Sequence, residues 1–531
     1  MKRLAELLTI RAGEGRLAGL LIALMLMTAL GSSVGVSGIE ALFFARFGVT
    51  YLPLIYMGQG VLTLIVTLGV SAVLGGRSRN FIYTLLPLVM GGVLVAERFL
   101  AGLTEFLPVL WLSKEILNSL MGLYVWGVAS TLCDTRQAKR LFPIFNAGRI
   151  LGSVAGGLAT GALVSLIGTE NLLLVWAATL GVAFIITRAL LAGNRPASPV
   201  KAKRTRARRT PSFLQEVQQG YQFVRGSALM RLVSVEAVLF SALWFSLALP
   251  FSKAVTLNFV DEARIAGFLG LFNSLNTAVA FLASLFLANR LYARWGIMRV
   301  ILVLPLIYVV GFGVMMAYAA FPVLVIYKFV QMVWLQGLAD SAYQAMFNAV
   351  PGERRDQVRA FIGGVPEQAG TFIAGGILIV GEQTMQPATL YLVGLILALT
   401  CAYAVWRSGR AYSGALVAAL KANQPQLFGT ASLPFGGLQQ DGTALQVALA
   451  GLKQPEPSVR RVAAEALGAF PQSASVEALV RALMDDDAGV RVAVLQALIQ
   501  TKASAALLDV AARLQDANAE VRAQAVDAVT A

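Results

Sequence analysis

Histidine is missing from all 531 residues, and cysteine occurs only twice, at Cys133 and Cys401. The first absence removes the side chain that most often serves as a general base near neutral pH and most often ligates metals, so no catalytic residue, metal site or cofactor is expected. The second leaves no disulfide framework, because both thiols fall near the cytoplasmic ends of predicted spans. Charge is scarce too: 13% of residues are Asp, Glu, Lys or Arg, where an average soluble domain has about 25%. No phosphate-binding loop or nucleophile motif occurs. Together these absences exclude a soluble enzyme. What is present is apolar: 57% of the chain, in successive runs of about 20 residues, each enough to cross the hydrocarbon core of a bilayer.

Runs bounded by charge, Gly or Pro predict twelve spans, at 17–42, 51–74, 81–103, 107–132, 143–167 and 171–192, then at 228–257, 264–288, 297–319, 322–349, 361–380 and 388–406. The basic amino terminus (Lys2, Arg3, Arg11, Arg16) precedes an apolar run too long for a signal peptide and without a small-residue cleavage pattern, so it reads as an uncleaved first span. Inner loops then hold Arg77 and Arg79; Arg136, Lys139 and Arg140; Arg290, Arg294 and Arg299; and Arg354, Arg355 and Arg359. Outer loops hold little beyond Arg46, Arg98 and Arg264. This asymmetry predicts a multi-pass cell-membrane protein with both termini cytoplasmic. The net charge of +15 belongs to the membrane part, since 10 basic residues face 11 acidic ones from Arg410 onward; it marks loops at a lipid bilayer and not a nucleic-acid surface.

The domain reading is a six-span half over 1–192, a basic linker over 193–212, a second six-span half over 213–409, a linker over 410–441 and a repeat region over 442–531. The first linker carries Arg195, Lys201, Lys203, Arg204, Arg206, Arg208 and Arg209 and no acid. It either fixes topology or attracts anionic headgroups, at about 1 kcal/mol per residue close to the surface. Matched segments support duplicated halves. PVLWLSK from Pro108 aligns with PVLVIYK from Pro322 at an offset of 214, and QAKRLF from Gln137 with QVRAFI from Gln357 at 220.

Ionisable groups inside spans cost about 2.5–3.5 kcal/mol each on insertion scales, so they face a cavity or a partner. Here they gather on span 1 (Glu40, with Ser32 and Ser33), span 4 (Lys114, Glu115, Asn118), span 7 (Glu236, Lys253) and span 10 (Lys328, Asp340, with Gln331 and Gln336). Arg149, Glu367, Asn273 and Asn276 fall on other spans. The candidate substrate-binding set is Glu40, Lys114, Glu115, Asn118, Glu236, Lys328 and Asp340; the candidate inner-loop gating set is Arg136, Lys139, Arg140, Arg290 and Arg299. Lys114 and Lys328 occupy the matched position of the duplicated element. Facing one cavity they would attract an anionic solute; the other reading is internal pairing, for example Lys114 with Glu40. Gly148, Gly152 and Gly156, with Gly157 and Gly161 beside them, form a stripe for close helix packing.

The tail repeats every 31 residues: PEPSVRRVAAEAL from Pro455, DDAGVRVAVLQAL from Asp486 and ANAEVRAQAVDAV from Ala517, with Val459, Val490 and Val521 in step. Glu456 with Arg460, and Asp487 with Arg491, stand four apart in the favourable order for helical ion pairs. Asp485 to Asp487 read as an inter-helix turn, not as a metal site. This pattern is similar to HEAT repeats, which implies stacked helix pairs that present a surface to a cytoplasmic protein partner.

Twelve spans, matched halves and basic inner loops resemble the major facilitator superfamily. The loop ANRLYARWGIMRV from Ala288 is similar to that superfamily's inner-loop signature at Arg290, Gly296 and Arg299, while GGRSRN from Gly75 lacks its aspartate. WGVASTLCDTRQAKRLFPIFNAG from Trp126 most resembles the ATP/ADP antiporters of plastids and intracellular bacteria, through Trp126, Gly127, Ala129, Ala138, Lys139, Arg140 and Pro143. The resemblance implies an all-α fold, a bundle of two six-span pseudo-repeats followed by a short α-solenoid. The function expected is secondary transport of a small anionic solute, such as a nucleotide or other phosphorylated metabolite, by alternating access, with the repeats as a regulatory arm. The rival expectation is a non-transporting membrane receptor or scaffold that presents the repeats.

Overall fold

Every regular element among the described residues of this computed structural model, namely 14–62, 65, 79–193, 213–421 and 441–530, is a helix. Outside them lie Lys2, Arg3 and Arg11, the inner part of span 2 with Arg77, the basic stretch from Arg195 to Arg209, and most of the linker expected at 410–441. The first half comprises α1 (Gly15–Leu42), α2 (Val49–Leu62), α3 (Arg79–Leu100), α4 (Leu107–Leu132), α5 (Thr135–Ile167) and α6 (Leu172–Gly193). The second comprises a short helix α7 (Phe213–Gly226), α8 (Ala228–Asn258), α9 (Glu262–Trp295), α10 (Ile297–Ala317), α11 (Phe321–Met346), a second short helix α12 (Gly352–Gly364), α13 (Pro366–Thr384) and α14 (Pro387–Lys421). With the short α7 and α12 set aside, the described residues form a bundle of two six-helix halves, and nine of its helices are long and apolar enough to cross a membrane. The short α7 and α12 pack on one another at the end of the bundle that also bears the repeats, with Tyr221 and Phe361 rings 5.6 Å apart.

Local chemistry explains the boundaries. Asp134 accepts from Gln137 N at 2.7 Å and the Gln137 side chain returns to Asp134 N, a capping box that starts α5 eight residues before the predicted span. The glycine stripe of α5 packs as anticipated. Gly148, Gly152 and Gly156 meet the α1 backbone at Ile22, Leu26 and Leu30, while Gly157 and Gly161 meet Gly270 and Gly267 of α9, joining the halves. The last span is longer than expected. At 35 residues, α14 exceeds what a core of about 30 Å requires, and it continues through 410–421 because Tyr412, Leu416, Ala419 and Leu420 keep one buried face. The expected linker thus begins as helix.

The repeat arm stacks α15 (Gly442–Gly451), α16 (Pro457–Leu467), α17 (Ser473–Ala482), α18 (Ala488–Thr501), α19 (Leu507–Ala512) and α20 (Ala519–Thr530). Val459, Val490 and Val521 are all buried, as the period requires. The ion pairs differ from the expected i,i+4 set. Arg460 reaches Asp485 at 2.7 and 2.9 Å, and Arg491 reaches Asp516 at 2.9 Å, each one repeat onward. Each arginine also caps carbonyls of its own turn, Arg491 on Asp485 O at 2.7 Å and Arg460 on Pro455 O at 2.7 Å. Asp487 is spent capping α18 through Val490 N, which leaves the Asp485–Asp487 run committed to structure. The cross-repeat geometry wins because a bidentate arginine between adjacent turns satisfies more donors than a side-by-side helical pair.

These pairs give the arm a pH signature. The Arg491 hydrogen bond holds the Asp516 carboxyl below its ordinary value; for Asp485 burial is the largest single influence and pushes upward, but the hydrogen bonds from Arg460 and Asp487 N and the charges of Arg460 and Arg491 together bring it down. A carboxyl depressed in the folded state stabilises above its unfolded value, near about 3.9, and loses that contribution as pH falls through the folded one. Hydrogen exchange of α16, α18 and α20 is therefore expected to be flat from neutral pH to about 5 and to accelerate, after correction for intrinsic rates, below about 4. Asp485→Asn with Asp516→Asn should remove this acid-specific rise.

Asp441 fixes the arm to the bundle. Buried at the start of α15, it accepts from Ile297 N at 3.1 Å, from Thr443 N at 3.0 Å and from the Tyr412 hydroxyl at 3.0 Å, so one carboxylate joins α10, α14 and α15. Two glycines permit this approach. Gly296 has φ +77° and a Cβ there would collide with Thr443, while a Cβ on Gly442 would meet the Ala293 carbonyl at 2.5 Å. Asp441→Ala strands buried donors at about 1–3 kcal/mol, and 1.4 kcal/mol is tenfold in population. Limited trypsin digestion should then separate arm from bundle at least about tenfold faster than in the wild type; unchanged digestion would refute the lock.

Candidate functional site

A cavity of about 560 Å³ opens between the two halves, lined from the first by Gln59 of α2 and by Glu115 and Ser119 of α4, and from the second by α8, α10, α11 and α13. Its carboxylates are Glu115, Asp340 and Glu367, with Tyr308 and Tyr343 beside them; no lysine or arginine is among its lining residues. Asp340 and Glu367 are exposed, and among the described residues neither has an ion-pair partner. Glu367 stands in the first turn of α13, where the break at Val365 and Pro366 starts a new helix. Asp340 follows a five-residue π turn, Leu335–Ala339, which contributes Leu335 and Ala339 to the lining. Such a turn inserts an extra residue into a helix and turns the next side chains to a new face, and it is frequent at functional sites. Ser241 and Thr371, 2.7 Å apart, add hydroxyls across α8 and α13.

The two lysines of the expected set lie elsewhere. Lys114 is 2% exposed, with its ammonium 2.9 Å from Glu40, 3.3 Å from Glu115 and 3.6 Å from the Trp111 ring centroid. Its long side chain can reach both acids even though Glu115 is its immediate neighbour. Lys328 is 4% exposed, sits 4.0 Å from the Trp244 ring centroid and forms no hydrogen bond. The matched lysines are both buried against an indole, Trp111 for Lys114 and Trp244 of α8 for Lys328, and neither is among the cavity's lining residues. Lys114 is internally paired.

Asn118 accepts from Ser32 at 3.1 Å and ties α4 to α1. Glu236 is fully buried with neither carboxylate oxygen hydrogen bonded. Of the expected binding set, only Glu115 and Asp340 reach the cavity. Glu367, Gln59, Gln344 and Thr371 were not in that set. Glu367 alone carried a signal, as a carboxylate in an apolar span; the neutral polar residues have no periodicity that separates them from helix packing.

The end of the bundle opposite the arm is closed by charge. Arg46, just after α1, donates to Glu170 at 2.6 Å in the first half and to both oxygens of Glu262 at 2.8 and 2.9 Å in the second; Arg98 adds a 2.8 Å pair with Glu170. Lys253 pairs with Glu382, joining α8 to α13. Among the expected gating residues, Arg140 pairs with Glu14 at 2.9 Å within the first half, Arg290 is exposed, and Arg299 faces a second cavity beside the arm. The side chains of Arg136 and Lys139 lie outside the described residues.

Comparison with known proteins matches this architecture. Residues 445–530 match the HEAT-repeat family. The fold is similar to that of a nucleoside transporter, NupG (TM-score 0.55, 15% identity, covering 74% of this chain and 99% of that one). It is also similar to a bacterial homologue of the iron transporter ferroportin in its inward-facing state (0.54, 15%, 75% and 99%) and to an auto-inhibited peptide transporter of the POT family (0.53, 11%, 74% and 96%). No curated protein sequence matches the chain significantly. At these identities the likeness establishes the fold: a transporter-type bundle of two six-helix halves, carrying HEAT repeats.

Proposed function

We propose that this chain is a secondary transporter of the major facilitator type that moves a small polar solute by rocking its two halves, with both termini and the HEAT arm on the cytoplasmic side of the cell membrane. The observation that carries this reading is a cavity between the halves whose acidic or basic lining groups, among the described residues, are the three carboxylates Glu115, Asp340 and Glu367. A site of this sign favours a cationic or neutral hydrogen-bonding solute. The anionic reading rested on Lys114 and Lys328, neither of which is among the lining residues: Lys114 is paired behind Glu115 and Lys328 lies against Trp244. The scaffold reading calls for neutralised charges without a pocket; unpaired Asp340 and Glu367 beside an open cavity favour transport instead.

The Arg46 contacts describe a closed outer gate, since one guanidinium bridges the halves. Alternation is testable without knowing the solute. With spin labels at Glu105 and at Val260, which is 90% exposed, Arg46→Gln is expected to add a longer inter-half distance. A single distance, unchanged by the substitution, would favour a rigid scaffold.

A further inference from the structure

A second cavity, of about 580 Å³, lies where the arm meets the bundle, between the end of α9, the start of α10, the outer turns of α14 and α15. Three arginines line it: Arg294 from α9, Arg299 from α10 and Arg410 from α14. All three are exposed, no acid is among the lining residues, and none of the three forms an ion pair among the described residues. The nearest structural carboxylate, Asp441, is already committed to Ile297, Thr443 and Tyr412. Arg410 stacks 4.0 Å over the Trp406 ring, which fixes its plane. Trp295 and Trp406 are 40% and 46% exposed beside it.

Three guanidiniums from three helices repel one another unless an anion stands between them, and their forked donors match the oxygens of a phosphate group. Exposed indoles at the end of spans are the usual mark of the headgroup level of a bilayer. The arm completes the cavity with Thr443 and Gln446, neutral hydrogen-bonding groups on the far wall. We propose that this cavity binds a phosphate-bearing anion, held by Arg294, Arg299 and Arg410 and covered by α15, so that occupancy fastens the HEAT arm to the ninth and twelfth spans. The phosphate can come from an anionic phospholipid headgroup or from a soluble phosphate ester. This site is separate from the central cavity and does not depend on the transport reading.

The test uses full-length protein in nanodiscs of phosphatidylcholine alone or with 30% phosphatidylglycerol, and inositol hexakisphosphate as a soluble probe, with thermal unfolding and limited trypsin digestion of the arm as readouts. The wild type is expected to show slower arm release, by about threefold or more, with phosphatidylglycerol if lipid is the source, or with the soluble probe if a phosphate ester is. Arg299→Gln with Arg410→Gln should abolish that protection. The charge-retaining pair Arg299→Lys and Arg410→Lys should keep part of it, and Arg481→Gln, on the exposed arm surface, all of it. If the double glutamine variant does not fold, Arg294→Gln alone reports the same loss. No protection by either phosphate source, or protection equal in wild type and glutamine variants, would overturn the proposal.

Discussion

Exchanging Asp340 for asparagine and Glu367 for glutamine is expected to lower solute uptake by at least about tenfold while leaving the protein folded. The groups are exposed in the central cavity and unpaired by any cation, so neutralising them removes no structural ion pair. A charge-assisted hydrogen bond to a bound solute contributes about 1.5–3 kcal/mol, and 1.4 kcal/mol is one power of ten. The amide side chains keep size and polarity, so the loss belongs to charge. The effect should fall mainly on apparent affinity if the carboxylates hold solute equally in the ground and transition states, and on turnover if they drive closure of the halves. Uptake unaffected by both substitutions, in a protein of unchanged melting temperature, would remove the cavity from the pathway.

The second large effect is on stability. Lys114→Met removes the buried cation shared by the partly exposed carboxylates of Glu40 and Glu115, and since breaking a fully buried pair costs about 3–5 kcal/mol, the loss here is expected below that ceiling. Against a total of about 5–15 kcal/mol, that is a large share of the stability and is expected to lower the melting temperature by several degrees. Adding Glu40→Gln should recover much of it, since a neutral set of similar volume avoids the buried charge. Lys328→Met should behave differently although it occupies the matched position. Lys328 lies over the Trp244 ring without a hydrogen-bonded acid among the described residues, so a methionine there is expected to be neutral or stabilising. Fluorescence-detected size exclusion after a temperature series separates the two outcomes, and equal melting of both single variants would contradict the assigned environments.

The contrast between these lysines marks what sequence could carry. The run of membrane-crossing helices, the α5 glycine face and the repeat period were legible because each is a one-dimensional pattern: hydrophobic length, small residues four apart, and a fixed offset of 31. The matched positions of Lys114 and Lys328 on α4 and α11 were also legible, through the duplicated PVL segments. The pairing of Lys114 with Glu40 stood among the expectations and is present; the indole beside Lys328 was not foreseen, because Trp244 stands on another helix and no spacing encodes it. The acidic lining was hidden for the same reason. Glu115, Asp340 and Glu367 come from α4, α11 and α13, and the π turn before Asp340 has no signature in composition. The arm lock at Asp441 was invisible too, since an Asp-Gly-Thr run reads only as a helix start until Ile297 and Tyr412 arrive beside it.

The account turns on the sign of charge in the central cavity. The most direct measurement is uptake into proteoliposomes by purified full-length protein, comparing a panel of organic cations and neutral polar solutes with nucleotides and other phosphorylated metabolites of similar size. Uptake of a cationic or neutral solute, lost on Asp340→Asn with Glu367→Gln, is the predicted result. Uptake confined to the phosphorylated anions and abolished by Lys328→Met would contradict it and return the pathway to the lysines.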